Sequence, residues 1–270
     1  EAFLSDTGGR DNVTTGELAL NQAGEPLGFR VRTYAGLGGF NANGSAVSPT
    51  NMQMAPNAYR IPNVYVRVTG TFTNTTPVDA YRGAGRPEAT YLIERMMTTA
   101  ARELGVDPAE LRRQNFIREF PHQTPVIMCY DAGDFEASLN NALTAIDYTG
   151  FGARKAEAAS RGKLRGIGMS CYIEACGIAP SAAVGSLGAG VGLWESAEIR
   201  VNPVGTIEVL TGSHSHGQGH ETTFRQIVCE RLGVPFENVH IVHGDTDKVQ
   251  MGMGTYGSRS GAVGMSAILK

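Results

Sequence analysis

Residues 64–104 read VYVRVTGTF, then TNTTPVDAYRGAG, then RPEATYLIERMMTTAAREL. The first nine residues alternate apolar and polar side chains, which predicts a strand over residues 64–72. In the last stretch apolar side chains recur at helical spacing, and Pro87 suits the first turn of a helix. Gly83 and Gly85 separate the two elements. A strand, a glycine-rich loop and a helix therefore follow one another, and this unit determines the fold.

The same succession recurs later, with a strand at Thr206–Leu210, a loop rich in histidine and glycine, and a helix from about Gly219 to Leu232. Turn sequences predict two hairpins, over residues 13–40 and 194–210. Three further helices are predicted: one that starts after Asp107, the N-cap of a capping box, and two over residues 134–147 and 149–161. Two further strands are predicted, an apolar one over Leu164–Ala175 and a short one over residues 239–242. We therefore expect an α+β fold with two mixed strand-and-helix halves, residues 1–150 and 151–270.

The composition is that of a globular protein, with 41% hydrophobic and 18% charged residues. The net charge is −3 and the isoelectric point is near 6.1, which gives no reason to expect nucleic acid or an anionic membrane as a partner. Arg112 and Arg113 are interpreted as part of a solvated helix face. No apolar run reaches the length of a transmembrane helix, and residues 1–6 do not resemble a signal peptide. Both ends look cut, which predicts a fragment of a longer chain.

The four cysteines, Cys129, Cys171, Cys176 and Cys229, form no C-x-x-C pair, and we expect reduced, buried thiols in a cytoplasmic protein. Glycine is the unusual component, with 35 residues that cluster in loops, including residues 185–192. Such clusters bring backbone close to a ligand or allow positive φ.

Three glycine-rich loops each lead into a predicted helix: loop 1 (residues 79–89), loop 2 (residues 211–222) and loop 3 (residues 252–261). Backbone N–H groups at a helix N-terminus bind anions, so the three loops together predict one large anionic cofactor. Loop 2 is neither a Walker loop nor a Rossmann fingerprint. Each loop alone could be only a tight turn, or in the case of loop 3 a linker. Asp245 and Asp247 are interpreted as turn formers rather than cation ligands.

Histidines in loop 2 permit a second interpretation. His214, His216 and His220 lie within seven residues, and imidazole is a common zinc ligand. No second cluster of ligands accompanies them, so phosphate binding is the preferred interpretation and no metal ligand is assigned. No nucleophile–base triad can be assembled.

The sequence Ala80-Tyr81-Arg82-Gly83-Ala84-Gly85-Arg86 resembles the active-site loop of bacterial molybdenum hydroxylase large subunits, the superfamily of xanthine dehydrogenase and aerobic carbon-monoxide dehydrogenase. Residues 217–222 and 255–260 resemble the family's cofactor loops, in the same order. The resemblance covers essentially the whole chain. It implies a molybdopterin cofactor in the cytosine dinucleotide form, held by the first molybdopterin-binding domain (residues 1–150) and the start of the second (residues 151–270).

By position, the resemblance places Arg82, Gly83 and Ala84 beside the molybdenum. Gln218 would bond near the molybdenum end, while Gly217, Gly219 and His220 would hold pterin or phosphate. The residues that would contact phosphates or the nucleotide are Thr255, Tyr256, Gly257, Ser258, Arg259 and Ser260. The implied reaction is hydroxylation of an aldehyde, a purine or an N-heterocycle with water as the oxygen source. FAD and [2Fe-2S] clusters would lie on a medium and a small partner subunit, in a dimer of heterotrimers.

Two departures from the family pattern narrow this expectation. Relatives that oxidise carbon monoxide carry a copper-binding cysteine where this chain has Gly83, so a molybdenum–copper site is not expected. The family's catalytic glutamate motif has no match up to Lys270, so the catalytic base is unassigned and the isolated chain should show no turnover. We expect the complex to be cytoplasmic, with association at the inner membrane face through the complex. The alternative function is a cofactor-binding or maturation module without catalysis.

Overall fold

The computed structural model describes residues 6–42, 54–177 and 193–270, so the glycine cluster at residues 185–192 lies outside the described residues. The chain divides into two compact units, unit 1 up to Ile173 and unit 2 from Glu174 onward. Both contain helices and a sheet with antiparallel and parallel pairs, which confirms the α+β class. The division into cofactor-binding domains at residue 150 stays a prediction.

Unit 1 is built on a three-stranded sheet in the order β1-β2-β3. Strand β1 (Asn12–Leu20) pairs antiparallel with β2 (Pro26–Gly38), which confirms the first hairpin. Strand β3 (Val64–Phe72) pairs parallel with β2, with Val31 opposite Val66. Every second side chain of β2 from Phe29 to Ala35 is buried, as expected for a sheet with one face on the core.

Helices cover the buried face of this sheet. Helix α1 (Arg86–Leu104) follows loop 1, and its buried side chains, Ile93 and Met97 among them, join the core with those of β2. Helix α2 (Pro108–Asn115) begins where predicted, because the Asp107 carboxylate accepts bonds from the N–H groups of Ala109 and Glu110. The remaining elements are β4 (His122–Gln123), β5 (Cys129–Tyr130), α3 (Phe135–Ala145) and α4 (Phe151–Ser160).

The solvated-face interpretation is wrong for Arg112, whose side chain is 0% exposed. Its guanidinium lies 3.0 Å from the Glu94 carboxylate and also donates to Thr98 and to two backbone carbonyls. The Tyr59 hydroxyl donates to the same carboxylate, and burial, followed by the nearby Glu94 charge, raises the pKa of Tyr59. A buried charge persists because it is paired and hydrogen-bonded on all sides.

The strand predicted over Leu164–Ala175 is also wrong. Residues 167–173 alternate in burial, but the segment forms no strand and has no ladder partner in the described part of the chain. The backbone N–H groups of Cys171 and Ile173 donate instead to the side chains of Glu94 and Asn57, at 2.9 Å each. Side-chain oxygens therefore accept the hydrogen bonds from these N–H groups that the carbonyls of a neighbouring strand would otherwise accept.

Unit 2 repeats the mixed pairing on a smaller scale. Strands β6 (Ala197–Val201) and β7 (Ile207–Thr211) form the second predicted hairpin, and β8 (Val239–Val242) pairs parallel with β7. Helix α5 (His220–Leu232) connects β7 to β8 through a short 3₁₀ turn (Phe236–Asn238). A π-helical segment (Ser260–Met265) and α6 (Ser266–Leu269) follow loop 3.

The cysteines correct one further expectation. All four are free, but Cys129 and Cys176 are exposed, so the prediction of buried thiols is wrong for these two. Among the residues described, no helix has the length and apolar character that crossing a membrane requires.

Candidate functional site

Loop 1 turns sharply before helix α1. Gly83, Ala84 and Gly85 all have positive φ, at 95°, 46° and 94°. The N–H of Ala84 bonds to the carbonyl of Tyr81 at 2.8 Å, and the N–H of Arg86 bonds to that of Gly83 at 3.1 Å. Gly85 caps the helix without any side-chain acceptor. Two glycines are needed here because other residues are strained at such φ values.

Arg10 fixes loop 1 from the N-terminal segment. Its Nη2 donates to the backbone carbonyl of Arg82 at 2.7 Å, and its Nε lies 3.3 Å from the carboxylate of Glu88 in the first turn of α1. The same guanidinium lies 5.5 Å from the centre of the Tyr81 ring. No sequence pattern pointed to Arg10, because its partners lie more than seventy residues away. Arg82 itself is exposed.

Gly83 cannot carry a side chain in this conformation. A Cβ atom at this position would lie 2.6 Å from Cγ and 2.7 Å from Cδ of Pro87. Carbon atoms in ordinary contact are about 3.5–4.0 Å apart. A cysteine at this position would therefore overlap the Pro87 ring in the observed conformation of loop 1.

Loop 2 leads from β7 to helix α5, and His220 is the first helical residue, as predicted. Gly217 and Gly219 have positive φ, at 96° and 80°, and nothing lies within 4 Å of the position of their absent Cβ atoms. Gly219 caps the helix, and no side chain caps it. The N–H groups of residues 217–219 have no acceptor in the described part of the chain. This leaves an open helix N-terminus lined by backbone donors.

Imidazole rings gather beside this helix start. The rings of His214 and His216 are 4.9 Å apart, and those of His214 and His243 are 5.0 Å apart. His220 stacks on Phe224, and burial lowers its pKa, so the ring is neutral at neutral pH. The Nδ1 atoms of His214, His220 and His243 are buried and have no hydrogen-bond partner in the described residues. Because buried polar atoms in proteins are nearly always hydrogen-bonded, we expect these Nδ1 atoms to bond to a ligand or an ordered water.

Two other side chains complete loop 2. The Gln218 carbonyl oxygen accepts a bond from the His216 N–H, which leaves the amide nitrogen of this exposed side chain for a ligand. Glu221 lies 2.9 Å from Nε2 of His243. A bond from its own backbone N–H, and then the bond to His243, hold the pKa of Glu221 below its usual value. Among the described residues, no group of three or more histidine, cysteine or acidic side chains is arranged to hold a metal ion.

Loop 3 lies against loop 2 within unit 2. The Thr255 hydroxyl donates to the carbonyl of His214 and lies 3.0 Å from the hydroxyl of Ser260. Gly257 and Ser258 have positive φ. Tyr256 is partly exposed and lies under the Arg259 guanidinium, 5.3 Å from ring centre to Cζ. The structure therefore brings together the predicted residues of loops 2 and 3.

Arg259 differs from the other predicted contacts, because its side chain is 0% exposed. Its guanidinium is bonded to the Glu195 carboxylate at 3.1 Å, to the Gly254 carbonyl at 2.7 Å and to the Trp194 carbonyl. Contact between Arg259 and a cofactor stays a prediction. Glu195 had no role in the sequence prediction, since nothing in its spacing pointed to Arg259.

Loops 2 and 3 fit a molybdopterin dinucleotide in three respects. The N-terminus of α5 has free N–H donors for phosphate oxygens, the glycines leave room for backbone to approach a ligand, and buried imidazole atoms lack partners. Residues 82–84 lie in unit 1. Their grouping with loops 2 and 3 around one cofactor stays a prediction.

Comparison with known proteins identifies the family to which this chain belongs. Two family models, both described as "Molybdopterin cofactor-binding domain", match residues 1–116 and 141–270. The carbon monoxide dehydrogenase large chain of Hydrogenophaga pseudoflava is 40% identical over 96% of this chain and 33% of its own length. The chain thus belongs to the molybdenum hydroxylase family and forms a molybdopterin-binding portion of its large subunit.

Solved structures agree with this class. Cu,Mo-CO dehydrogenase matches with a TM-score of 0.84 and 35% identity over 99% of this chain and 35% of that one. Quinoline 2-oxidoreductase from Pseudomonas putida 86 matches with a TM-score of 0.86 and 30% identity over 99% of this chain and 34% of that one. The chain spans about a third of the length of these relatives.

Proposed function

We propose that this chain is the cofactor-holding part of an oxidoreductase that hydroxylates an aldehyde, a purine or another N-heterocycle with oxygen from water. The observation that carries the proposal is the open N-terminus of α5, where residues 217–219 present N–H donors beside imidazole Nδ1 atoms that lack partners in the described residues. A maturation module without catalysis is not favoured, because the similar proteins named above are redox enzymes by name.

The protein's part in this chemistry is binding and orientation. When bound, a molybdenum–molybdopterin group supplies the two-electron oxidation. Backbone donors of loop 2 and the side chains of Gln218 and His220 would hold its phosphates and pterin, most simply in the cytosine dinucleotide form. Loop 1 would present Arg82, Gly83 and Ala84 toward the reacting end. No residue of this chain is proposed as the catalytic base.

Loop 1 favours carbon–hydrogen hydroxylation over oxidation of carbon monoxide. The similarity to carbon monoxide dehydrogenase covers 96% of this chain, but a site selective for Cu(I) requires a soft sulfur ligand such as a thiolate. Gly83 offers none, and the ring of Pro87 leaves no space for one. We therefore propose that the substrate is an organic molecule with an electrophilic carbon.

The proposal extends to the assembly. FAD and [2Fe-2S] clusters would reside on a medium and a small partner subunit, in a cytoplasmic dimer of heterotrimers that could associate with the inner membrane face. No nucleic acid is expected as a partner, since the net charge is only −3.

Metal and nucleotide analysis of the full-length protein tests the proposal. Purified protein should contain molybdenum in stoichiometric amount, and acid treatment should release an equal amount of CMP. Stoichiometric zinc without molybdenum would instead support a metal site at His214, His216 and His220 and would overturn the proposal. Molybdenum without CMP would contradict the dinucleotide form only.

A further inference from the structure

The junction of loops 2 and 3 is held by a carboxylate that belongs to neither loop. Glu195 lies just before β6, and its side chain is 0% exposed. One carboxylate oxygen contacts Arg259 of loop 3 at 3.1 Å and accepts from the Ser213 hydroxyl of loop 2 at 3.3 Å. The other accepts from the Ser196 N–H at 3.1 Å. Both oxygens are therefore engaged by protein donors.

The two loops cross at a point where only glycine fits. A Cβ atom on Gly212 would lie 2.2 Å from Cα of Gly252, and the reverse substitution meets the same obstacle. The Ser196 hydroxyl donates to the carbonyl of Met251 at 2.7 Å, directly before this crossing. The backbones of the two loops are thus in contact beside Glu195, and a single added Cβ atom at either glycine would push them apart.

Arg259 links the Glu195 carboxylate to the backbone of loop 3. Its guanidinium joins Glu195 to the carbonyl of Gly254, 2.7 Å away, and to that of Trp194. The bond to Gly254 closes the loop on itself, so that Tyr256 and Ser258 lie between two anchored ends. A planar guanidinium bonded on several sides fixes geometry in a way that a flexible ammonium does not.

We propose that Glu195 is a positioning residue for the cofactor, which acts through Arg259 to hold loops 2 and 3 in the arrangement that binds it. The expected loss of cofactor rests on the proposed function, whereas hydrogen exchange of the loops can be measured whether or not a cofactor is bound. Glu195 lies 24 residues before Gly219 of loop 2, and none of the three glycine-rich loops includes it.

The test uses the full-length protein with Glu195→Gln, which removes the charge at almost the same size. Hydrogen exchange of the hydrogen-bonded loop amides, those of Ser213, His216 and Arg259, should become roughly tenfold faster, while the amides of β6, β7 and β8 keep their protection. Molybdenum and CMP content per folded protein should fall in parallel. The matched control is Glu198→Gln with Arg200→Lys, an exposed ion pair on β6 that should leave both readouts unchanged.

A second variant separates positioning from general stability. Glu195→Gln combined with Arg259→Met removes the uncompensated buried charge, so the melting temperature should recover toward the wild-type value. Loop exchange should stay fast and cofactor content low, because Arg259→Met also removes the bonds to the carbonyls of Gly254 and Trp194.

Wild-type loop protection and cofactor content in the double variant would overturn the inference, as would unchanged loop exchange in Glu195→Gln. If wild-type protein holds neither molybdenum nor CMP, the proposed function fails, and the exchange comparison alone decides the role of Glu195.

Discussion

Replacement of Gly83 tests the geometry of loop 1. Any side chain at this position destabilises the fold in two ways. The backbone has a positive φ of 95°, and the Cβ atom would lie only 2.6 Å from Cγ of Pro87. The first costs about 1–2 kcal/mol, and overpacking adds about 1–3 kcal/mol. Gly83→Ala should therefore destabilise by about 2–5 kcal/mol. The Pro87 ring cannot rotate away, because its nitrogen is part of the backbone of α1.

Gly105 provides the matched control for this measurement. It ends helix α1 with a φ of 69°, and nothing lies within 4 Å of the position where its Cβ would be. Gly105→Ala should thus show only the conformational cost, about 1–2 kcal/mol. Calorimetry of the full-length protein would compare the two melting temperatures. In Gly83→Cys, the thiol should not create a copper site. Equal losses at both positions, or a stable Gly83→Cys protein that binds stoichiometric copper, would refute the reasoning.

Three further predictions concern other parts of the chain. Gln218→Ala should lower molybdenum content at unchanged melting temperature, since the exposed side chain makes one loop contact; full molybdenum occupancy would count against its role. Glu94→Gln should cost about 3–5 kcal/mol by leaving Arg112 unpaired, and adding Arg112→Met should recover much of the loss; a denaturation midpoint equal to wild type in the single variant would disprove this. Burial, followed by the Glu94 charge, raises the pKa of the Cys171 thiol to about 11, so the reactive thiolate is scarce at pH 8. Mass spectrometry should find iodoacetamide on exposed Cys129 long before Cys171, and equal labelling rates would contradict the burial argument.

Local sequence signals predicted the elements that depend on neighbouring residues. The cap at Asp107, the hairpin turns and the start of α5 at His220 were all predicted, because a turn or a cap is decided within a few positions. The glycine loops were located correctly for the same reason. Their positive φ values are the backbone states that the glycines permit.

Interactions between distant residues were not predictable in this way. The parallel pairing of β2 with β3 joins strands separated by a long connection, and periodicity does not specify a partner. Arg10 meets loop 1, and Glu195 meets Arg259, across more than sixty residues. Arg112 looked like a surface charge because its side-chain partners Glu94 and Thr98 lie on another helix. Leu164–Ala175 has the pattern of a strand, but a strand also needs a neighbour.

The central claim is that loops 2 and 3 hold a molybdopterin dinucleotide. An experimental structure of the full-length protein, with anomalous data at the molybdenum edge, tests it most directly. The account predicts phosphate density within hydrogen-bonding distance of the N–H groups of residues 217–219, and a molybdenum peak near Gly83. A metal held by His214, His216 and His220, or a cofactor that leaves the N-terminus of α5 empty, would contradict it.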